Sequence, residues 1–297
     1  RVSPMEYRDY GPFPYVPITQ RPKITWPNDA WLAVWVIPNV EFFPLTAGLS
    51  PHPPQPRGKA PSVRAWAQRD YGNRVGIWRM MDVFNKHGIR VSANLNSDIC
   101  RYHPQIVEAG MNQGWEFLGH NKTNAAFITD IPPHEEKKMI HDALAEIASL
   151  TGVRPKGWLG SGLAETWNTL DYLIDEGIEY IADWVNDDQP YLMDVDGRRI
   201  CSIPYSYEIN DSPFLYQRYG RTEDFADMIR RQFDVLYAEG EQSGRVMAIC
   251  LHPWIIGVPH RIKWLDDALG YVAGHDKVWF ATGGEIIDHY LKSGNTF

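Results

Sequence analysis

Residues 31–43, WLAVWVIPNVEFF, set the pattern that decides the fold. The apolar run Trp31–Pro38 predicts a buried strand, and two polar residues, Asn39 and Glu41, come directly after it. The same order recurs further along the chain, where His120 and His252 each follow an apolar run. Further strands are predicted at residues 89–95, 115–118, 180–185, 200–204, 246–251 and 278–281.

Amphipathic stretches lie between most of these strands. Apolar residues at helical spacing predict helices over Asp70–Lys86 and Pro133–Leu150, and a third from Thr222, as N-cap, to just before Gly240. This alternation predicts an α/β protein with a mostly parallel sheet, either closed as a barrel or open and doubly wound. No G-x-G-x-x-G follows the first strand and no G-x-x-x-x-G-K occurs, so no nucleotide-binding sheet is indicated.

The polar residues at the strand ends are the strongest functional signal. In a parallel barrel, the carboxyl ends of the strands share one rim, where catalytic residues gather. The pattern therefore predicts that Asn39, Glu41, His120, Asp183 and His252 meet at one site.

Charge and cysteine usage narrow the class of protein. The 297 residues carry 29 Lys and Arg against 37 Asp and Glu, a formal charge of −8, which argues against nucleic acid or an anionic membrane as partner. Three cysteines without a C-x-x-C pair indicate a reducing compartment. With no apolar run of membrane-spanning length and no signal-peptide core, a cytoplasmic protein acting on a small molecule is expected.

Proline-rich segments suggest the domain organisation. One domain is expected over residues 29–297, preceded by a proline-rich arm at 1–28 and interrupted by a proline-rich insert at 44–62. Both segments are expected either to wrap a neighbouring subunit of a homo-oligomer or to act as lids, and the sequence leaves both open.

Glu41 and the two histidines are the candidate catalytic residues. Glu41 is flanked by apolar residues, so its pKa is expected to rise toward that of a general base, although a loop carboxylate facing water is the alternative. His120, with Asn124 four residues later, and His252 are candidates for proton transfer, or else hydrogen-bonded structural histidines.

Two tryptophans are candidates for binding a flat ligand. Trp158 lies in GWLGSG and Trp184 in ADWVNDDQP, where each either stacks on a ligand or is a packed indole. Spacing alone gives little support for a metal site, because neither H-E-x-x-H nor any other set of three spaced ligands occurs. A serine nucleophile is also poorly supported, because no G-x-S-x-G elbow is present.

The succession PNVEFF, GHNKTN, GWLGSG, ADWVNDDQP and CLHPW resembles the NodB-type polysaccharide deacetylase superfamily from about residue 26 to about residue 290. The resemblance implies an irregular (β/α) barrel that hydrolyses amides, commonly N-acetyl groups on sugars, with a divalent metal. Glu41 stands in the place of the family's base, His120 in that of its first metal-binding histidine, and His252 in that of its acid.

The chain departs from the family pattern where the metal would bind. Phe42 replaces the metal-binding aspartate and Asn124 replaces the second histidine. The Asn-x-Glu form of the first motif and LHPW…GVPHR resemble the branch of metal-independent allantoinases and cyclic-imide hydrolases. This resemblance implies that no metal cofactor is used, although Phe42 also departs from that branch.

Three hypotheses follow. In the first, the protein hydrolyses a small cyclic amide, ureide or imide: Glu41 activates water, His252 protonates the leaving nitrogen, and His120 orients the water or stabilises the oxyanion. The second is a zinc-dependent sugar deacetylase with Glu41, His120 and Asp183 as ligands, and the third a non-catalytic barrel that binds a small ligand. In the first hypothesis, the substrate is bound by Asn39, Asn124, Trp158, Asp183 and Trp184.

Overall fold

The strand-end arrangement is present in a computed structural model, which describes residues 9–49, 61–294 and 296–297. Within these residues the chain forms nine strands and nine α-helices. The strands are β1 Leu32–Val40, β2 Ser92–Leu95, β3 Glu116–Gly119, β4 Gly157–Trp158, β5 Tyr180–Ile181, β6 Tyr191–Val195, β7 Arg198–Ser202, β8 Arg245–Leu251 and β9 Val278–Phe280. The helices are α1 Val63–Tyr71, α2 Ile77–Lys86, α3 Asp98–Tyr102, α4 Pro104–Asn112, α5 Pro133–Thr151, α6 Thr169–Asp175, α7 Thr222–Gly240, α8 Pro259–Ala273 and α9 Gly283–Lys292.

The strands form one curled sheet in the order β6-β7-β5-β4-β3-β2-β1-β8, with β9 beside the first half of β1. All pairings are parallel except that of β6 with β7. The outer edge of β8 is covered by loop backbone, because Cys250 N donates to Ile209 O at 3.0 Å and Val246 N donates to Asp188 O at 2.9 Å. The predicted irregular, mostly parallel (β/α) barrel is confirmed, in the form of a partial barrel.

Alternation along β1 separates an inner from an outer apolar layer. Ala33, Trp35 and Ile37 pack inside the curled sheet, whereas Val34 and Val36 pack against the surrounding helices. This strand is buried on both faces, which explains its continuous apolar run. It extends two residues beyond the predicted end and so includes Asn39.

The predicted helices at 133–150 and 222–239 are confirmed to within one residue at each end. Thr222 is the first residue of α7 rather than its N-cap, which is Arg221, and no side chain caps this end. The helix predicted at 70–86 begins earlier, at Val63, and contains a π-helical turn at Gly72–Gly76.

This π-helical turn packs against the chain that follows β8. A Cβ on Gly72 would lie 2.6 Å from Trp254 N, and one on Gly76 would lie 2.1 Å from Pro253 O. Only glycine allows two backbones to approach so closely. The turn therefore fixes the position of the residues directly after His252.

The described part of the N-terminal arm packs on its own chain. Arg21 Nη1 and Nη2 each lie 2.6 Å from a carboxylate oxygen of Asp187, and the guanidinium lies 4.4 Å from the ring centre of Phe297. Asp194 N of edge strand β6 donates to Pro12 O at 2.7 Å. Residues 1–8 of the arm and 50–60 of the insert predicted at 44–62 lie outside the described residues. Among those described, no helix has the length and apolarity to span a membrane.

Candidate active site

Three side chains from three strand ends meet above the sheet. Glu41 follows β1, His120 follows β3 and His252 follows β8, and each is at most 9% exposed. Glu41 Oε1 lies 3.4 Å from His252 Nε2 and 3.7 Å from His120 Nε2. The structure thus brings the three predicted catalytic residues together around one carboxylate oxygen.

His252 is oriented by a buried aspartate that was absent from the sequence-based predictions. Its Nδ1 lies 2.7 Å from Asp211 Oδ1, and its backbone N–H donates to Asp211 Oδ2 at 2.8 Å. Asp211 directly precedes a π-helical turn at Ser212–Gln217 and is fully buried. This contact leaves Nε2 of His252 facing Glu41.

The pKa of His252 is raised to about 10. Burial acts to lower it, but the negative charges of Glu41 and Asp211, with their hydrogen bonds to the ring, outweigh that effect. At neutral pH His252 is therefore an imidazolium that can give up a proton.

His120 is fixed by the chain at the end of β4. Its Nδ1 lies 2.6 Å from Leu159 O, and because a carbonyl only accepts, Nδ1 carries the hydrogen. In the neutral ring, Nε2 is then an acceptor. It has no hydrogen-bond partner among the described residues and is buried 3.7 Å from Glu41 Oε1.

The pKa of Glu41 falls to about 2, so the prediction of a raised value was wrong. Burial does act to raise it, but the charge of His252 and the contacts with His120 and His252 outweigh burial. The sequence shows the apolar neighbours of Glu41 but not the two imidazoles that fold against it. Glu41 and His252 therefore form an ion pair at neutral pH.

Hydrogen bonds hold the Glu41 loop in place. Asn124 Nδ2 donates to Glu41 Oε1 at 2.8 Å, and Asn124 N donates to Phe42 O at 3.0 Å. Asn73 Nδ2, from the π-helical turn at Gly72–Gly76, donates to Glu41 O at 2.9 Å. Phe42 N donates to Asn96 Oδ1 at 2.8 Å.

Asp183 lies beside His120 and is paired with Glu165. Glu165 was absent from the sequence-based predictions. Gly160 N donates to Asp183 Oδ1 at 2.7 Å, one residue after the carbonyl that holds His120. Burial raises the pKa of Asp183 to about 6, although the hydrogen bonds with Glu165 and Gly160 act to lower it. Burial and the charge of Asp183 raise the pKa of Glu165 well above its usual range. Trp184 Nε1 donates to Glu165 Oε1 at 3.1 Å, so this indole borders the pair.

Two of the predicted substrate-binding residues, Asn39 and Trp158, have side chains that are buried in the interior of the protein. Asn39 is buried, accepts from Asn94 Nδ2 at 2.8 Å and donates to Leu251 O at 3.1 Å, so its amide is used inside the sheet. Trp158 is fully buried in the outer apolar layer, where it contacts α5 and α6. Its prediction as a ligand-stacking residue was wrong because β4 directs Leu159, not Trp158, to the inner layer.

The side chains do not fit the metal site that the family resemblance implies. Phe42 has no ligand atom, and its ring stacks on Tyr102 at 4.5 Å between centres. Glu41 Oε1 already faces donors from Asn124 and the His252 imidazolium, which repels a cation. Across the described residues, no group of three or more His, Cys, Asp or Glu side chains is arranged to hold a metal ion, including the Glu41, His120 and Asp183 set.

Comparisons with known proteins agree with this fold. A polysaccharide deacetylase homologue of Schizosaccharomyces pombe is 26% identical over 293 residues, covering 88% of this chain and 90% of that protein. The crystal structure of PuuE allantoinase superposes with a TM-score of 0.85 at 26% identity, over 96% of this chain and 99% of that one. A polysaccharide deacetylase-type protein of Pseudomonas aeruginosa PAO1 gives a TM-score of 0.84 at 26% identity, over 96% and 100%.

No protein-family model matches the chain. The similarity in sequence and fold nevertheless extends over nearly the whole length of both the deacetylase-type proteins and the allantoinase. Sequence and fold thus support the polysaccharide deacetylase superfamily of NodB type and its allantoinase-like branch, and the enzyme class is that of hydrolases of carbon–nitrogen bonds other than peptide bonds.

Proposed function

We propose that the protein opens a small cyclic amide, ureide or imide by hydrolysis, without a metal ion. The observation that carries this proposal is the set of contacts to Glu41 Oε1: Asn124 Nδ2 at 2.8 Å, His252 Nε2 at 3.4 Å and His120 Nε2 at 3.7 Å. Phe42 stands beside this carboxylate where the family has a metal ligand. Acid and base are thus adjacent, in opposite protonation states.

Glu41 is the general base and His252 the general acid. Glu41 takes a proton from a water molecule as the water oxygen bonds to the ring carbonyl carbon. When the carbon–nitrogen bond breaks, His252 gives its Nε2 proton to the departing nitrogen. The proton held by Glu41 then passes to His252 over their 3.4 Å separation, which restores both groups. The ring has gained one water and ends as an amine or amide and a carboxylic acid.

His120 orients the attacking water. Its Nδ1 hydrogen is committed to Leu159 O, so Nε2 of the neutral ring accepts a hydrogen bond and does not donate one. A water between His120 and Glu41 would have both its hydrogens directed to acceptors and a lone pair free for attack. Of the two roles expected for His120, the water-orienting one therefore fits the tautomer. The oxyanion would instead accept a hydrogen bond from the Asn124 amide, which is the neutral donor nearest to Glu41.

The carboxyl pair of Glu165 and Asp183 favours a ring over an acetamido group. Burial raises the pKa of both carboxyl groups, and a protonated carboxyl beside a carboxylate would offer a donor and an acceptor side by side. A ring amide is held cis and presents its N–H and C=O along one edge, which matches such a pair. An acetamido group is trans and presents them on opposite sides. Trp184, hydrogen-bonded to Glu165, is then placed to cover the ring.

A substrate panel tests the proposal. Acid release is measured on allantoin, hydantoin, succinimide and phthalimide, and acetate release on an N-acetylglucosamine oligomer. We expect turnover of at least one ring and none of the oligomer, with Glu41→Gln about 100- to 10,000-fold slower. Glu135→Gln, an exposed carboxylate on α5, serves as control and should match the wild type.

The acetate measurement addresses the second candidate function, a sugar deacetylase. Its support is the similarity to the deacetylase-type proteins of fission yeast and Pseudomonas. Acetate release without any ring opening would replace our proposal by that activity. If neither occurs and a ring binds equally to wild type and Glu41→Gln, the protein is the non-catalytic binding barrel.

A further inference from the structure

A second pocket, of about 590 Å³, opens behind the turn that carries His252. Residues of α1, of the π-helical turn at Ser212–Gln217 and of the first turn of α8 form its walls. We call it the arginine pocket and define it by Arg64, Tyr71, Tyr216, Trp254, His260 and Arg261. None of these residues belongs to the catalytic group around Glu41.

The charge of the arginine pocket is opposite to that of the molecule. The chain carries a net charge of −8, yet the described residues that line the pocket include two arginines and a histidine and no aspartate or glutamate. Among the described residues, neither Arg64 nor Arg261 has a carboxylate within 4.0 Å. Two guanidinium groups in one pocket repel each other, so an anion placed between them stabilises both.

Arg261 is held in place for such a contact. It is half-buried, and its Nη1 donates to Ile255 O at 3.0 Å, which fixes the plane of the guanidinium while other N–H groups remain available. Burial lowers the pKa of Arg261, whereas the charge of Asp211 raises it. The group nevertheless stays cationic, because arginine does not lose its proton in this range.

The remaining wall of the arginine pocket is aromatic. Tyr216 and Trp254 meet edge to face with ring centres 4.8 Å apart, and Tyr71 lies on the same wall as α1 ends. Flat apolar groups pack well on such rings. The paired N–H groups of a guanidinium match the two oxygens of a carboxylate, and the aromatic wall favours a carboxylate that carries a flat apolar group.

We propose that the arginine pocket binds a small organic carboxylate with a flat apolar body, held by Arg261 and Arg64 and packed on Trp254. The bound molecule would touch the turn that carries His252, since Ile255 N donates to His252 O at 2.9 Å and Ile255 O accepts from Arg261.

Two sources share this ligand chemistry. Ring opening converts a neutral ring into a molecule with a carboxylate, so the reaction product belongs to the class, and so does an unrelated carboxylate effector. The assignment to the product rests on the proposed function. Binding of a carboxylate to the pocket does not, because it requires no turnover.

Calorimetric titration with benzoate tests the proposal, with benzamide as the neutral probe of equal shape. We expect saturable binding of benzoate and at least tenfold weaker binding of benzamide. Arg261→Gln should weaken benzoate binding at least tenfold, and Arg64→Gln at least threefold. The matched control is Arg230→Gln, which removes an arginine of α7 outside the pocket.

Equal binding of benzoate and benzamide, or benzoate binding unchanged in Arg64→Gln, would overturn the proposal. Arg64 lies on the exposed face of α1, so its variant remains informative if Arg261→Gln does not fold. A ring-opened product such as succinamate then identifies the source. Competition with benzoate supports the product, and simultaneous binding supports a separate effector. Failure of the substrate panel leaves these binding results unaffected.

Discussion

At the scale of single residues, the site depends on how Glu41 is neutralised. In this chain the partner of the carboxylate is the His252 imidazolium, at 3.4 Å, and Asp211 on the far side of the ring keeps that charge in place. The row Asp211–His252–Glu41 is thus an alternation of negative, positive and negative groups. The base is deprotonated and the acid protonated before the substrate binds, since the pKa of Glu41 is about 2 and that of His252 about 10, on either side of neutrality.

The charge of Asp211 should control the alkaline limit of activity. His252 works as an acid only while protonated, so the rate should stay level through neutral pH and fall as pH approaches the raised pKa of about 10. Asp211→Asn removes a negative charge and lowers the pKa of His252. The alkaline fall in rate should therefore move to lower pH by about 1 to 3 units. The measurement is kcat/KM against pH for both proteins. If the rate falls at the same alkaline pH in both proteins, Asp211 does not raise the pKa of His252.

Two substitutions should create the metal site that the family resemblance implies. Phe42 and Asn124 are neighbours, joined by a 3.0 Å backbone hydrogen bond, and stand at the two positions where that resemblance implies metal ligands. Phe42→Asp combined with Asn124→His should bind about one zinc per chain with His120, at a cost of about 0.5–1.5 kcal/mol for the lost Phe42–Tyr102 stacking. Zinc content after dialysis, measured against wild type and each single variant, checks this. A double variant that folds but takes up no zinc would contradict the account of these positions.

At the scale of elements, strand alternation decides which residues reach the site. β4 has only two residues, Gly157 and Trp158, so that Trp158 faces the helices while Leu159, directly after the strand, faces the interior. From sequence, GWLGSG indicated a glycine-rich turn, and so short a strand shows no detectable period. β6 was missed for a related reason, since it pairs antiparallel at the sheet edge and only its alternate residues are fully buried.

The two tryptophans should therefore respond differently to truncation. Trp158→Ala should lower the free energy of unfolding by about 3–5 kcal/mol, because it empties space in the outer apolar layer, and leave KM nearly unchanged. Trp184→Ala should raise KM several-fold with a smaller loss of stability, because that indole is half-buried beside Glu165. Urea unfolding and steady-state kinetics measure both. A raised KM with unchanged stability in Trp158→Ala would restore it as a substrate-binding residue.

At the scale of the whole molecule, the sequence was sufficient for the fold class and for the central residues of the site. Apolar runs followed by Glu41, His120 and His252 are local signals, and parallel strands bring such positions to one rim. Asp211 and Glu165 had no local signal, because their roles depend on distant contacts. Asp211 contacts His252, which is 41 positions further along the chain, and Glu165 contacts Asp183, which is 18 positions further along. The low pKa of Glu41 has the same origin, since it arises only once β1, β3 and β8 are assembled.

The position of the N-terminal arm also depends on long-range contacts. The arm residue Arg21 pairs with Asp187, and Pro12 covers the edge strand β6, so the start of the chain packs against its second half. A homo-oligomer and a lid from the insert at 44–62 stay predictions.

The central claim is that carbon–nitrogen ring hydrolysis proceeds here with Glu41 and His252 and without a metal ion. The most direct measurement is the rate of acid release from the best ring substrate, before and after dialysis against a chelator, and again after zinc is added back. The account predicts the same rate in all three samples. Loss of activity on chelation with recovery on zinc would contradict it and would mean that a metal binds in spite of Phe42 and Asn124.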